Sequence, residues 1–211
     1  AMTENTGGCT LMPLNDIRPG TVGKPMTNVE IKIDPQNQEV LMRAPWVMTG
    51  YFKDPERTAQ VVENGWLHTG DQGEMTPEGY LKLTGRVSDT FKSAKGKFII
   101  PAPIEWGFAK NSYIEQLCVV GFSIPQPLAL AVLSEIGQKT PLEIVKASLA
   151  QTLSEVNAEL MNHERVKAVV ITKEPWAVEN GVLTPTLKIR REVLNRKYAE
   201  RYGLWFERAE T

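Results

Sequence analysis

No run of apolar residues approaches the about 18 needed to cross a bilayer as a helix, and no signal-peptide pattern opens the chain. A transmembrane protein is therefore not expected, and the expected location is the cytoplasm. Charge of one sign is also lacking: 24 Lys and Arg face 25 Asp and Glu, for a net charge of -1. That balance argues against a nucleic-acid partner held by a basic surface. Histidine is scarce, with only His68 and His163, and the two cysteines, Cys9 and Cys118, lie far apart without metal-ligand spacing. A zinc site is excluded on those grounds. Cys118 sits in the apolar run Leu117-Cys118-Val119-Val120 and reads as a buried thiol rather than half of a disulfide. Internal repeats and low-complexity tracts are missing as well. What remains is an ordinary globular composition, 42% hydrophobic and 23% charged over 211 residues, enough for one large domain or two modest ones.

The pattern of elements changes along the chain. Up to residue 85, turn signals recur at Arg18-Pro19-Gly20, Asp34-Pro35-Gln36-Asn37, Glu63-Asn64-Gly65 and Pro77-Glu78-Gly79. Between them, Val29 to Ile33 alternates with period two, and Glu39 to Met42 and Tyr80 to Leu83 are further strands. Asp54-Pro55 opens a short helix, with the carboxylate as cap and proline in the first turn. Beyond Arg86 the pattern is α+β. A helix is predicted from Ile104 to Lys110, and strands over Gln116 to Gly121, Ala129 to Ser134 and Val166 to Thr172. Leu142, Val145, Leu149, Leu153, Val156 and Leu160 form one helical stripe, with Thr140 as its cap and Glu143 closing a capping box. Thr186 is predicted to cap a last helix that turns Ile189, Val193 and Leu194 inward.

Five segments carry candidate chemistry. Met2-Thr3-Glu4 puts a hydroxyl beside a hard carboxylate. Gln38-Glu39-Val40-Leu41, continued by Pro45, Gly50 and Tyr51, reads as scaffold. Gly65-Trp66-Leu67-His68-Thr69-Gly70-Asp71 ends in a carboxylate able to accept two hydrogen bonds at once. Gly85 to Glu105 joins a Gly-Arg turn, a short polar joint and a Lys/Gly loop to the head of a helix. Leu183-Thr184-Pro185-Thr186-Leu187-Lys188-Ile189-Arg190-Arg191 closes the series. In this order the segments resemble the adenylate-forming enzymes, the superfamily of acyl-CoA synthetases, luciferases and peptide-synthetase adenylation domains. The wording from Phe91 to Glu105 is most similar to the long-chain fatty-acid CoA ligases. Departures are Gln38 and Ala44 for glycines, Ser88 for the usual Asp or Lys, and Lys95 for the first of two glycines. Leu187 stands before the lysine, as in the long-chain subgroup, where the wider superfamily has glycine.

The resemblance implies an α+β chain: a β-rich subdomain over 1–86, the end of the large adenylation domain, then a small α+β C-terminal domain over 87–211. The implied reaction joins an acid and ATP to give acyl-AMP and pyrophosphate, after which CoA displaces AMP. Lys188 is the implied catalytic residue, bridging the substrate carboxylate and the α-phosphate as a compact point charge. Thr3, Asp71 and Arg86 are implied to bind ATP and AMP, with Asp71 on the ribose. Glu4 is implied to bind Mg2+. Ser88 and Asp89 are the implied hinge, and Lys92, Lys95, Gly96 and Lys97 the loop facing the CoA channel. Nucleotide, fatty acid and CoA are then the partners, met through a longer enzyme of which this is the C-terminal part. Ala1 ahead of Met2 reads as a cloning remnant, and the chain alone is expected not to turn over. Peripheral membrane contact stays open, and self-association through an exposed apolar face of 1–86 is expected. Two alternatives stand: a non-catalytic interaction or regulatory module derived from this family, and an adenylate-forming enzyme that loads a carrier protein.

Overall fold

The computed structural model describes residues 1–209. The chain divides between Ser88 and Asp89 into two compact units. In the first, β1 (Thr10–Leu11) pairs antiparallel with β2 (Lys24–Pro25). The main sheet contains β3 (Glu30–Ile33), β4 (Glu39–Arg43), β5 (Val62–Glu63), β6 (Trp66–Met75) and β7 (Leu81–Arg86). Its order is β3-β4-β6-β5, with β7 also on β6 and every pair antiparallel. Helix α1 (Pro55–Val61) starts as expected: the Asp54 side chain accepts from the Arg57 N–H at 3.0 Å and Pro55 fills the first turn. The alternation of β3 turns Ile31 and Ile33 toward the core while Glu30 and Lys32 face out. Cys9, Val29, Val40, Met42, Leu67 and Leu81 form that core. Leu11, Leu14 and Ile17 stay exposed on the same unit.

The second unit opens with a hairpin of β8 (Phe91–Lys92) and β9 (Phe98–Ile99), followed by α2 (Pro101–Phe108). Strands β10 (Ile114–Val120) and β11 (Leu128–Leu133) pair antiparallel. Helices α3 (Glu135–Lys139) and α4 (Leu142–Glu159) then carry the chain over to β12 (Val169–Ile171), parallel to β11, and α5 (Arg191–Arg208) closes the unit. Alternation along the central strands sorts two cores. Cys118, Val120, Leu128, Leu130 and Val132 meet Leu194, Tyr198 and Tyr202 of α5. Val119 and Ala129 meet Ile104, Phe108 and Val156 of α2 and α4. Covered on both faces, β11 reads Leu-Ala-Leu-Ala-Val-Leu and is buried almost throughout. Both cysteines are buried free thiols, as expected for Cys118. Among the described residues no helix is long and apolar enough to cross a membrane.

Two predicted caps are corrected. The Thr140 hydroxyl donates to the Ile136 carbonyl at 2.8 Å, so Thr140 ends α3, a helix not anticipated, instead of starting α4. Helix α4 begins after Pro141 with no side-chain cap, and Glu143 pairs with Lys146 at 3.1 Å rather than reaching back. Leu142 is half exposed, and the buried stripe runs Val145, Leu149, Thr152, Val156. Its polar member Thr152 accepts from Asn111 Nδ2 at 2.9 Å, which satisfies both buried groups. Nor does Thr186 cap α5: its hydroxyl meets that of Thr184 at 3.0 Å, and the helix starts five residues later at Arg191.

Candidate functional site

In the first unit the segment from Trp66 to Asp71 lies inside strand β6. Opposite it, Leu41 pairs with His68 but Glu39 pairs with Gln72, so Thr69, Gly70 and Asp71 together face Val40. This is a bulge, and Gly70 sits in it at φ +71°, a conformation open to glycine without strain. Glu39 holds the bulge from β4. It is 7% exposed; its Oε1 accepts from the Gly70 N–H at 2.8 Å and its Oε2 meets His68 Nδ1 at 3.0 Å. The Thr69 hydroxyl donates to the Val40 carbonyl at 2.7 Å and accepts from the Asp71 N–H at 3.1 Å. The bulge thereby turns Asp71 toward Arg86, its cross-strand partner on β7. Arg86 Nε donates to Asp71 Oδ1 at 3.0 Å, with the side chains 57% and 32% exposed.

A small cavity of about 70 Å³ adjoins this pair, lined by Met2, Thr69, Asp71, Leu81 and Leu83 among others. Met2 and Asp71 thus line the same cavity, and the chain leads on from Met2 into a short 3-10 turn, Thr3–Asn5. Thr3 is exposed. Glu4 is tethered: its Oε1 accepts from the Tyr51 hydroxyl at 2.8 Å, and its carbonyl from the Met48 N–H at 2.8 Å. The Glu4 hydrogen bond, helped by burial, raises the Tyr51 pKa above its ordinary value. Among the described residues no group of three His, Cys, Asp or Glu is placed to hold a metal. Glu39 and Tyr51, scaffold by sequence, thus hold the bulge and Glu4 through their side chains. The legible signal for Glu39 was an acidic residue heading the apolar run Val-Leu-Met.

In the second unit Lys92 lies on β8, and its ammonium sits 4.8 Å from the centre of the Phe98 ring. The hairpin turn is closed by Ser93 N–H to Lys97 O and Gly96 N–H to Ser93 O, each 2.9 Å, with Gly96 at φ +71°. Lys92, Lys95 and Lys97 are all exposed. The Ala94 N–H donates to the Ile124 carbonyl at 2.9 Å and ties the turn to the connection between β10 and β11. Ser88 and Asp89 fall in the 3-10 turn Val87–Asp89 at the boundary of the two units.

Lys188 is exposed on a second loop, closed at its base by a bridge between Leu183 and Ile189. Thr184 N–H donates to Lys188 O at 2.8 Å, and Lys188 N–H to the Thr184 hydroxyl at 3.0 Å. Leu187 is at φ +60°, where a side chain costs about 1 kcal/mol. Its side chain is 70% exposed and contributes little packing. Leu187→Gly is therefore expected to raise the melting temperature of the second unit by roughly 2–4 °C. Thermal unfolding followed by circular dichroism checks this, and a lower melting temperature would count against the strain.

The loop runs into Arg191, only 13% exposed. Its Nη2 donates to Glu105 Oε1 at 2.8 Å, and its Nη1 to Cys118 Sγ at 2.9 Å and to the Val119 carbonyl. Burial opposes the charge of Arg191, but the carboxylates of Glu105 and Asp89 around it favour that charge, and its pKa lies above the ordinary value. Burial pushes the Cys118 thiol up to about 12, so it stays protonated and unreactive at neutral pH. Glu105 and Arg191 come from the two segments that carry Lys92–Lys97 and Lys188.

The AMP-binding enzyme C-terminal domain family matches residues 88–209. The chain is 32% identical over 237 aligned residues to the mouse long-chain-fatty-acid–CoA ligase 5, covering 99% of this chain and 35% of the relative. It is 33% identical over 207 residues to the chloroplastic long-chain-fatty-acid–[acyl-carrier-protein] ligase AEE15 of Arabidopsis thaliana, covering 86% of this chain and 28% of that one. It thus spans about a third of the length of these curated relatives. The crystal structure of the anthranilate CoA ligase AuaEII with anthranoyl-AMP superimposes with a TM-score of 0.75 at 24% identity, over 93% of this chain and 38% of that one. The α+β fold is shared with that CoA ligase. The chain belongs to the adenylate-forming enzyme family, matching its AMP-binding enzyme C-terminal domain over residues 88–209, and over 99% of its length it is similar to a long-chain-fatty-acid CoA ligase.

Proposed function

We propose that this chain is the C-terminal part of an ATP-dependent long-chain fatty-acid CoA ligase, which forms acyl-AMP and pyrophosphate and then passes the acyl group to CoA. The observation that carries the reading is the Asp71–Arg86 pair, set by a bulge, with Asp71 lining one small cavity together with Met2. A carboxylate with one oxygen engaged still has lone pairs for both ribose hydroxyls, and Arg86 is a permanent planar donor for ribose or phosphate oxygen. Thr3 lies near the phosphates in this reading. The Glu4 carboxylate, with Oε1 engaged by Tyr51, presents a hard oxygen that fits Mg2+ as a single protein ligand. Mg2+ of this kind neutralises charge on the transferring phosphates when bound with the nucleotide. Lys188 draws the substrate carboxylate and the α-phosphate together against their repulsion. Ser88 and Asp89 act as the hinge by which Lys188 and then the loop Lys92–Lys97 serve the two half-reactions. Gly96 lets the backbone of that loop approach the thiol substrate closely.

The test is Asp71→Ala in the enzyme that carries this region, measured by acid-dependent pyrophosphate release, with the isolated chain as the inactive control. Losing hydrogen bonds from a charged acceptor to the ribose should raise KM for ATP roughly 10- to 100-fold. An unchanged KM removes Asp71 from the nucleotide site. The second reading, a carrier protein as acyl acceptor, is favoured by the likeness to the Arabidopsis acyl-carrier-protein ligase and by Lys95 beside Gly96. Assaying CoA and a phosphopantetheinyl carrier protein side by side separates the two acceptors.

A further inference from the structure

Arg191 is an unusual residue with which to begin a helix. The amino end of α5 carries partial positive charge, so a cation at its first position is disfavoured by the helix itself. Tertiary partners must hold it there, and they do. Strand β10 is an edge of the order β10-β11-β12. Val119 pairs with Ala129, whose N–H donates away from β10 to the Ala168 carbonyl. Val119 and Ala129 are thus a pair without mutual hydrogen bonds, and the N–H and C=O of Val119 point to the open edge. There the N–H donates to Glu105 Oε1 at 2.7 Å, and the C=O accepts from Arg191 Nη1. Glu105 Oε1 also accepts from Arg191 Nη2 at 2.8 Å. An acidic and a basic side chain together supply the acceptor and donor that a fourth strand would offer.

Two loops hang from this closed edge. Arg190, just before Arg191, donates its N–H to the Val182 carbonyl at 2.8 Å and shuts the loop that carries Lys188. Glu105 lies on α2, one turn into the helix that receives the hairpin after β9. The hairpin turn is fastened again through Ala94 to Ile124, just past the end of β10.

We propose that Glu105 and Arg191 are positioning residues: the ion pair plugging the edge of β10 is the common anchor that fixes the Lys188 loop and the Lys92–Lys97 hairpin relative to each other. Its meaning for catalysis rests on the roles proposed above for those two loops. The anchor itself is measurable without them. Amide hydrogen exchange of the whole 211-residue chain is compared with that of Arg191→Lys, which keeps the charge but loses the planar fork. With the second unit still folded by circular dichroism, exchange at Val119, over 93–97 and over 184–190 should all accelerate at least about 10-fold, because one opening exposes all three. Acceleration in only one loop, or in neither, overturns a shared anchor. Should Arg191→Lys fail to fold, Glu105→Gln is read by the same criterion, since it keeps an oxygen for the Val119 N–H. Loss of activity in Lys188→Met with an intact exchange pattern concerns the catalytic reading alone, so the two ideas fail separately.

Discussion

Glu105→Ala should lower the melting temperature of the second unit by about 10 °C, a loss of roughly 3 kcal/mol. Three effects add in one direction. The substitution leaves the Arg191 guanidinium, only 13% exposed, without its carboxylate. It also strips the Val119 N–H of the acceptor that closes the sheet edge. Finally, α2 loses its link to α5. The figure is at the lower end for breaking a buried pair, because both side chains keep some contact with water. The exposed Lys139–Glu135 and Lys110–Glu155 pairs offer an internal contrast, since screening leaves such pairs nearly neutral for stability. Thermal and urea unfolding of the three alanine variants, Glu105→Ala, Glu135→Ala and Glu155→Ala, checks the ranking. A Glu105→Ala melting point within about 2 °C of wild type would mean the pair is replaceable by water.

Lys188→Met is the variant expected to cost most in rate, about 10²- to 10³-fold in acyl-adenylate formation in the enzyme carrying this region. Methionine keeps length and volume while removing the charge. Neighbouring cations are poorly placed to substitute: Arg191 is buried on Glu105, and Arg190 reaches Glu192 and the Gly181 carbonyl at 3.4 Å each. Lys188 is exposed near the base of a loop, where its backbone is held by Thr184 and by the adjacent Leu183–Ile189 bridge. Because Lys188 is assigned to the transition state of the first half-reaction, kcat for acyl-AMP formation should fall with little change in KM. Transfer to CoA from preformed acyl-adenylate should continue. An adenylation rate within about threefold of wild type, or an equal loss in both half-reactions, would take the role away from Lys188.

Much of this was legible in the chain. Period-two alternation marked β3, short apolar and β-branched runs marked the strands of the second unit, and a proline after aspartate marked α1, because these are local rules that neighbours rarely overturn. The candidate residues were found as motifs, but their grouping was not. Asp71 and Arg86 are 15 residues apart, and nothing local announces that they pair across strands. The bulge at Gly70 was likewise hidden, and Glu39, although it visibly heads the apolar run Val-Leu-Met, reads as the polar end of an ordinary strand. The caps at Thr140 and Thr186 failed for the opposite reason. A threonine hydroxyl has several backbone partners within reach, and the packing of α3 and of the Lys188 loop chose among them.

The sequence by itself determined the class of fold, the change of pattern near Arg86, the motifs that carry the likeness to adenylate-forming enzymes and, through that likeness, the residues proposed to meet nucleotide and acid. Short-range chemistry, side-chain period and turn residues, suffices for the first two, and the order of the motifs carries the resemblance. Only the tertiary structure decided that Glu105 and Arg191, 86 residues apart, meet at 2.8 Å on the open edge of β10. That contact depends on which strand lies at the sheet edge and which helices cover its faces. Burial then made it matter, because a charge removed from water must find its partner wherever the fold has placed one.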